Sequence, residues 1–294
     1  MFKTQRAAYV LLTLTALFWS INVVLAKAMN AALPPMALSV GRWGIALLLL
    51  APFGVPRAWR QRHLLLPHWR RILILGLTGI GLYNTLVYVG LQSTTATHSV
   101  LLNSLIPILI VLLGGLLFAQ AVHSRQIIGI AISFVGVLTI VSEGNPLLLL
   151  TMGINPGDGI ILLAMLTWAL YTLVLRGLPA EIDRLGLLTV LMVIGLVALI
   201  PFFALEVAEG LVADFTTPSL LTLLYIGTFP SIVAMIFYNH GVATVGAARA
   251  GSFIHLMPAF GTLLAATFLG EPLHLYHAMG LSGILVGVYL ATRQ

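Results

Sequence analysis

The residues of this chain that could do chemistry lie inside long apolar runs. Trp19 and Trp168 each sit about twelve residues, or about 18 Å at helical rise, into such a run. Asn22 and Tyr171 follow them at the same interval, nearly one turn on, and so share that face. Asn84 and Tyr88 are four apart and project together. Asn103 and Ser104 come just before Pro107, and Ser252 and His255 just before Pro258. Tyr238 and Asn239 complete the set. Indoles, amides and hydroxyls of this kind suit aromatic contact and hydrogen bonding with a small molecule. They do not suit bond-breaking chemistry. The sequence has no HExxH, no GxSxG, no phosphate-binding glycine loop and no pair of carboxylates within an apolar run.

Each of these residues also has a plainer reading. Asn22 and Tyr171 can bond a neighbouring helix as polar glue worth about 1 kcal/mol. Each proline frees a carbonyl one turn earlier, at Asn103 and Ile254, which makes either a hinge or a packed kink. His255 can accept a proton or bond a carboxylate, or it can be a neutral histidine tied to the next helix. No Asp or Glu lies at mid-depth, which argues against a carboxylate relay for protons or sodium.

The elements that must position these residues follow from composition. Of 294 residues, 60% are hydrophobic and 7% charged, and the mean hydropathy is +1.08. Soluble domains carry roughly 25% charge, so a soluble globule is excluded. So is disorder, which needs low hydrophobicity. There is no cysteine and therefore no disulfide. Runs of spanning length predict ten helices near 7–28, 34–56, 70–91, 97–118, 126–143, 156–176, 185–206, 217–239, 248–269 and 275–292. The runs are too long for strands and lack period-two alternation. Trp19, Asn22 and Lys27 interrupt the first run and no small-residue cleavage site follows, so it reads as a retained helix.

Charge placement sets the orientation. With the N-terminus cytoplasmic, twelve Lys and Arg residues fall inside and only Lys27 falls in an outer loop. Both termini are then cytoplasmic, in a cell inner membrane. The basic stretch from Arg57 to Arg71 reads as a loop against anionic headgroups rather than a nucleic-acid site. Arg42 lies within the second helix, and a deep Arg must be paired or reach the interface. Glu271 falls on the same outer side, so a structural ion pair between Arg42 and Glu271 is the main reading, with capture of a substrate carboxylate as the alternative.

The chain repeats. At an offset of 151, Gly90 meets Gly241, Pro107 meets Pro258, Gly129 meets Gly280 and Gly136 meets Gly287. At 149, Trp19 meets Trp168 and Lys27 meets Arg176. The units are residues 1–145 and 152–294, five helices each. Five is odd, so the two copies lie in opposite orientation in the membrane, a pattern that lets two halves exchange conformations about a midplane site. The glycine faces Gly129, Ser133, Gly136 and Gly280, Gly283, Gly287 read as close helix packing.

The pieces Ala16-Leu-Phe-Trp19, Gly41-Arg42-Trp43, Leu105-Ile-Pro107, Leu256-Met-Pro258 and Gly270-Glu271-Pro272 resemble the EamA family of the drug/metabolite transporter superfamily over nearly the whole chain. One departure is visible: Gln120 stands in the first half where Glu271 stands in the second. The resemblance implies an all-α membrane protein of ten helices in two inverted five-helix repeats. It implies a central cavity lined by helices 1, 3, 4, 6, 8 and 9, the helices that carry the residues named above. Trp19 and Trp168 would then be its aromatic walls, rather than interface tryptophans. The resemblance leans toward exporters of amino acids, with drug efflux as the alternative. The expected partners are a neutral or zwitterionic small molecule and the lipid bilayer, with no nucleic acid and no cofactor. A membrane enzyme or scaffold is the alternative of another class.

Overall fold

In a bilayer every backbone polar group must be satisfied within the chain, so apolar runs of this length become helices. A computed structural model describes residues 4–29, 31–151, 153–264, 266–267 and 272–293, and among them there is no strand. The helices are α1 (Gln5–Ala28), α2 (Pro35–Arg60), α3 (Arg62–Ser93), α4 (His98–Phe118), α5 (Ser124–Val141), α6 (Pro156–Arg176), α7 (Arg184–Ala208), α8 (Thr217–Val245), α9 (247–264) and α10 (Leu275–Thr292). Among the described residues, all but α9 are long and apolar enough to span a membrane on their own. The expected end of the ninth span, and Glu271 with it, lie outside the described residues.

Two boundaries correct the sequence reading. The basic stretch from Arg57 to Arg71 is helical, with only Gln61 between α2 and α3. Its one proline, Pro67, sits in the first turn of a short 3-10 segment, where a missing N–H costs nothing. α8 runs to Val245, which places Tyr238 and Asn239 about two turns inside the helix instead of at its end.

The packing is a lattice of cross-pairs. α5 lies on α10, α2 on α7, α1 on α8, α3 on α6, α4 on α6 and α9 on α1. Every pair joins the first five helices to the last five. Exchanging helices 1–5 with 6–10 returns the same pairs, as a two-fold between inverted halves requires. The termini share one face, where the Tyr9 hydroxyl donates to the Thr292 carbonyl at 2.9 Å. The opposite face is called the far face below. Local irregularities obey the same relation. α3 and α8 both loosen into π-helical turns, Gly76–Leu82 and Phe229–Val233, and the offset of 151 lays 78–82 on 229–233.

The α5–α10 seam is backbone against backbone. A Cβ on Gly129 would meet Ala291 N at 2.4 Å, and one on Gly287 would meet Ser133 N at 2.4 Å. The contact of Gly129 with Gly287 is the repeat image of that between Gly136 and Gly280. The α2–α7 pair is fastened at both faces. Near the far face, the buried Glu206 carboxylate accepts from Met36 N and Ala37 N, both at 2.8 Å, and so caps the N-terminus of α2, where its charge is favoured. At the termini face, Gln61 Oε1 accepts from Asp183 N at 2.6 Å and Gln61 Nε2 donates to Asp183 O at 3.1 Å.

Candidate functional site

Residues related by a two-fold can touch each other only near its axis. Among the described residues, two such contacts bear on the site. The Trp19 and Trp168 rings meet edge to face with centroids 5.0 Å apart. His255 Nε2 donates to the carbonyl of Ser104, its equivalent at an offset of 151, at 2.8 Å. Around the tryptophans gather Tyr83, 4.6 Å from Trp168, Tyr171 at 4.9 Å and Tyr238 at 5.3 Å. Trp19 also donates through Nε1 to the Pro230 carbonyl at 3.2 Å, in the π-turn of α8. The result is a buried aromatic plug at the crossing of α1, α3, α6 and α8.

On the far-face side of this plug sits a polar group built on Arg42, a side chain only 1% exposed. Its Nη1 donates to Asn84 Oδ1 at 2.7 Å, to Tyr88 Oη at 2.9 Å and to Asn22 Oδ1 at 3.5 Å. Its Nε donates to Ser231 Oγ at 2.5 Å. The Tyr88 hydroxyl donates to Asn22 Oδ1 at 3.3 Å. Among the described residues no carboxylate lies within salt-bridge distance of Arg42. Its expected partner Glu271 lies outside them. On the termini side, the Tyr171 hydroxyl donates to Asn239 Oδ1 at 2.7 Å, and the Thr172 and Tyr238 hydroxyls bond at 2.9 Å. Beyond these, Arg176 Nη1 donates to Gln120 Oε1 at 2.8 Å.

Two chambers adjoin these groups. A cavity of about 400 Å³ reaches the far face between α1, α4, α5, α9 and α10. Its outer rim carries Glu143, Leu273, Tyr276 and His277, and its depth carries Ser20, Val23, Asn103, Ser104, Met257 and Pro258. A chamber of about 20 Å³, room for about one water, lies beneath it among Trp19, Asn22, Arg42, Tyr83, Asn84, Trp168 and Met235. The two share Val23, Asn103 and Met257. Asn103 Oδ1 accepts from the Tyr83 hydroxyl at 3.1 Å, so it ties α4 to α3 at the passage between the chambers. The Trp168 indole nitrogen is buried near the Tyr238 hydroxyl, without a well-formed hydrogen bond among the described residues.

The residues expected at a site thus divide. Trp19, Asn22, Asn84, Asn103 and Trp168 line the inner chamber, and Asn103, Ser104 and Pro258 line the outer one. Tyr88 reaches the group through Arg42. Tyr171, Tyr238 and Asn239 close the packed side. His255 and Ser252 line neither chamber. His255 is fixed between the Ser104 carbonyl and Ser133 Oγ, and Ser252 Oγ donates to the Arg249 carbonyl at 2.8 Å. Both prolines follow a break: α4 is interrupted at Ser104 and Leu105 before Pro107, and α9 tightens into a 3-10 turn at Phe253–His255 before Pro258. Sequence reasoning left out Ser231, Met235 and Met257. Ser231 carries a signal, a lone hydroxyl beside a mid-helix proline. The methionines are indistinguishable by type from packing residues.

Known proteins are similar to this chain over nearly its whole length. The model of the EamA-like transporter family matches residues 6–142 and again 155–293. An uncharacterized transporter of Bacillus subtilis, YyaM, is 25% identical over 97% of this chain and 93% of its own. An uncharacterized transporter of Archaeoglobus fulgidus is 28% identical over 97% of each. A solved crystal structure superposes with a TM-score of 0.76 at 20% identity, covering 98% of this chain and 97% of its own, which establishes a shared fold. Two matches of one family model, over a lattice of helices that is its own image, lead to one conclusion: the chain is a membrane protein belonging to the EamA-like transporter family.

Proposed function

We propose that this transporter works by alternating access, with the Trp19–Trp168 crossing exposed in turn to each face, and that it exports small, partly apolar metabolites. Hydrophobic and aromatic amino acids are the first class to test. Residues 1–145 and 152–294 are the two units that exchange roles, and the termini face is cytoplasmic in an inner membrane, as the excess of Lys and Arg there favours. The observation that carries the reading is the asymmetry about the axis. A cavity of about 400 Å³ descends from the far face toward the small chamber that Trp19 and Trp168 line, whereas Tyr171–Asn239 and Arg176–Gln120 bonds fill the other side. An inverted repeat supplies the opposite state by exchanging the two halves. The cavity volume lies in the range of metabolite sites.

The test is uptake of labelled hydrophobic amino acids into proteoliposomes. Saturable, protein-dependent flux that falls at least about tenfold in Trp168→Ala is the expected result. Absence of saturable flux for every hydrophobic amino acid removes that substrate class. Flux untouched by Trp19→Ala and Trp168→Ala removes the crossing as the site, as a scaffold or membrane enzyme would predict. Broad efflux is the second reading, favoured by the aliphatic walls Val23, Val24, Ile140 and Val141 of the outer cavity. A resistance screen of overexpressing cells separates the two.

A further inference from the structure

Arg42 holds a full positive charge about two turns inside the far end of α2, and its neighbours only partly answer that charge. Asn22, Asn84, Tyr88 and Ser231 are neutral acceptors. They solvate the guanidinium but do not neutralise it, and a buried ion without a counter-charge is costly. Among the described residues, the far-face carboxylates stand elsewhere. Glu206 caps α2, Asp158 is bonded by Thr94, His98 and the Asn155 amide, and Glu143 stands exposed at the far rim. The inner chamber is also rich in donors. Asn84 Oδ1 and Asn103 Oδ1 already accept from Arg42 and Tyr83, which leaves their amide nitrogens as donors. A ligand that fits must bring acceptors and negative charge to Arg42 through a space the size of about one water, and keep its apolar body in the larger cavity above, against Val23 and Met257. An ammonium group would find no anionic seat among the described residues.

We propose that the inner chamber recognises its cargo by a carboxylate held against Arg42, so that a monocarboxylate binds more tightly than the amino acid of the same side chain. The proposal rests on the transport reading above and narrows its substrate class to carboxylate anions with an aromatic or branched body. Arg42 is the recognising group because a planar guanidinium matches a carboxylate in geometry as well as charge.

The probes are 3-phenylpropionate, phenylalanine and phenethylamine, which share one ring and differ only in charged groups. Binding to the purified full chain is read by tryptophan fluorescence, and transport by counterflow in proteoliposomes. The expected order is 3-phenylpropionate at least about tenfold tighter than phenylalanine, with no saturable binding of phenethylamine. Arg42→Gln should weaken 3-phenylpropionate by about 10- to 100-fold, the range for a hydrogen bond to a charged group. Should Arg42→Gln fail to fold, Asn84→Asp answers the same question, because it sets an internal carboxylate beside the guanidinium and should abolish the preference. Glu271→Gln should leave the order unchanged. A gain in carboxylate affinity in Glu271→Gln would make Glu271 the counter-charge and overturn the proposal. So would phenylalanine or phenethylamine binding as tightly as 3-phenylpropionate, no saturable binding of any probe, or affinity indifferent to both Arg42→Gln and Asn84→Asp. The expected binding order without saturable counterflow would leave the carboxylate seat standing and overturn transport. Saturable counterflow that prefers an amine would do the reverse.

Discussion

The protein makes the same tyrosine–asparagine bond twice, with the partners exchanged. In the first pair the tyrosine is on α3 and the asparagine on α1, Tyr88 to Asn22 at 3.3 Å. In the second the tyrosine is on α6 and the asparagine on α8, Tyr171 to Asn239 at 2.7 Å. The repeat offsets of 149 and 151 carry Asn22 onto Tyr171 and Tyr88 onto Asn239. One bond is short and stands alone. The other is long and has Arg42 donating to both its members. An identical device therefore closes one side of the crossing and, with a charge added, furnishes the other. The halves share a skeleton and divide the chemistry between them, since the charge has no counterpart in the second half, where the matching stretch of α7 is Leu191-Met192-Val193.

Making the first half resemble the second should have the largest effect. Asn84→Met copies the residue at the equivalent position, Met235, and removes the 2.7 Å acceptor of a buried guanidinium. The expected cost is about 1.5–3 kcal/mol, read as a lowered midpoint of thermal unfolding in detergent. No loss would mean that Arg42 is held by other groups. Next comes Tyr171→Phe. It strands Asn239 Oδ1 in a fully buried place, with an expected cost of about 1–3 kcal/mol. Its image, Tyr88→Phe, removes a 2.9 Å acceptor of Arg42 but leaves the shorter bond to Asn84 on the same nitrogen and Arg42 still donating to Asn22, so it should cost less, about 1 kcal/mol. Equal losses in the two variants would erase the distinction between a lone bond and an assisted one. The smallest effect concerns the other axial pair. Because His255 lines neither chamber, His255→Asn should leave the shape of the flux–pH profile unchanged, whatever it does to yield. A profile that loses its inflection would place this histidine in the transport cycle.

Much of this was legible in residue type and spacing. Trp19 and Trp168 stood out because indoles so deep in apolar runs are too far from the interface for a belt. The prolines marked breaks because a missing donor loosens a helix wherever it falls. The glycine faces foretold a close seam, though not that α5 and α10 form it with each other. What stayed hidden was a matter of partners. Arg42 signalled its own need for company, but nothing in spacing shows that α1, α3 and α8 converge on it with three neutral acceptors and a serine. Nothing in the spacing of Glu206 announces its use as a helix cap, which depends on where α2 begins relative to α7. The extension of α8 past residue 239 ends at Gly246, whose φ of +89° supplies the stop and whose backbone angle cannot be read from residue type alone.

The α5–α10 seam also bears on how this chain can drift over generations. Most packed contacts tolerate change because a lost methyl group on one side can be answered by a gained one on the other. Here both sides are main chain, and a Cβ on Gly129 or Gly287 would meet a backbone nitrogen at 2.4 Å. No substitution on the facing helix makes room for it. The duplicated halves are therefore free to diverge at the crossing, as Arg42 and its acceptors show, yet stay bound to a common spelling along this line.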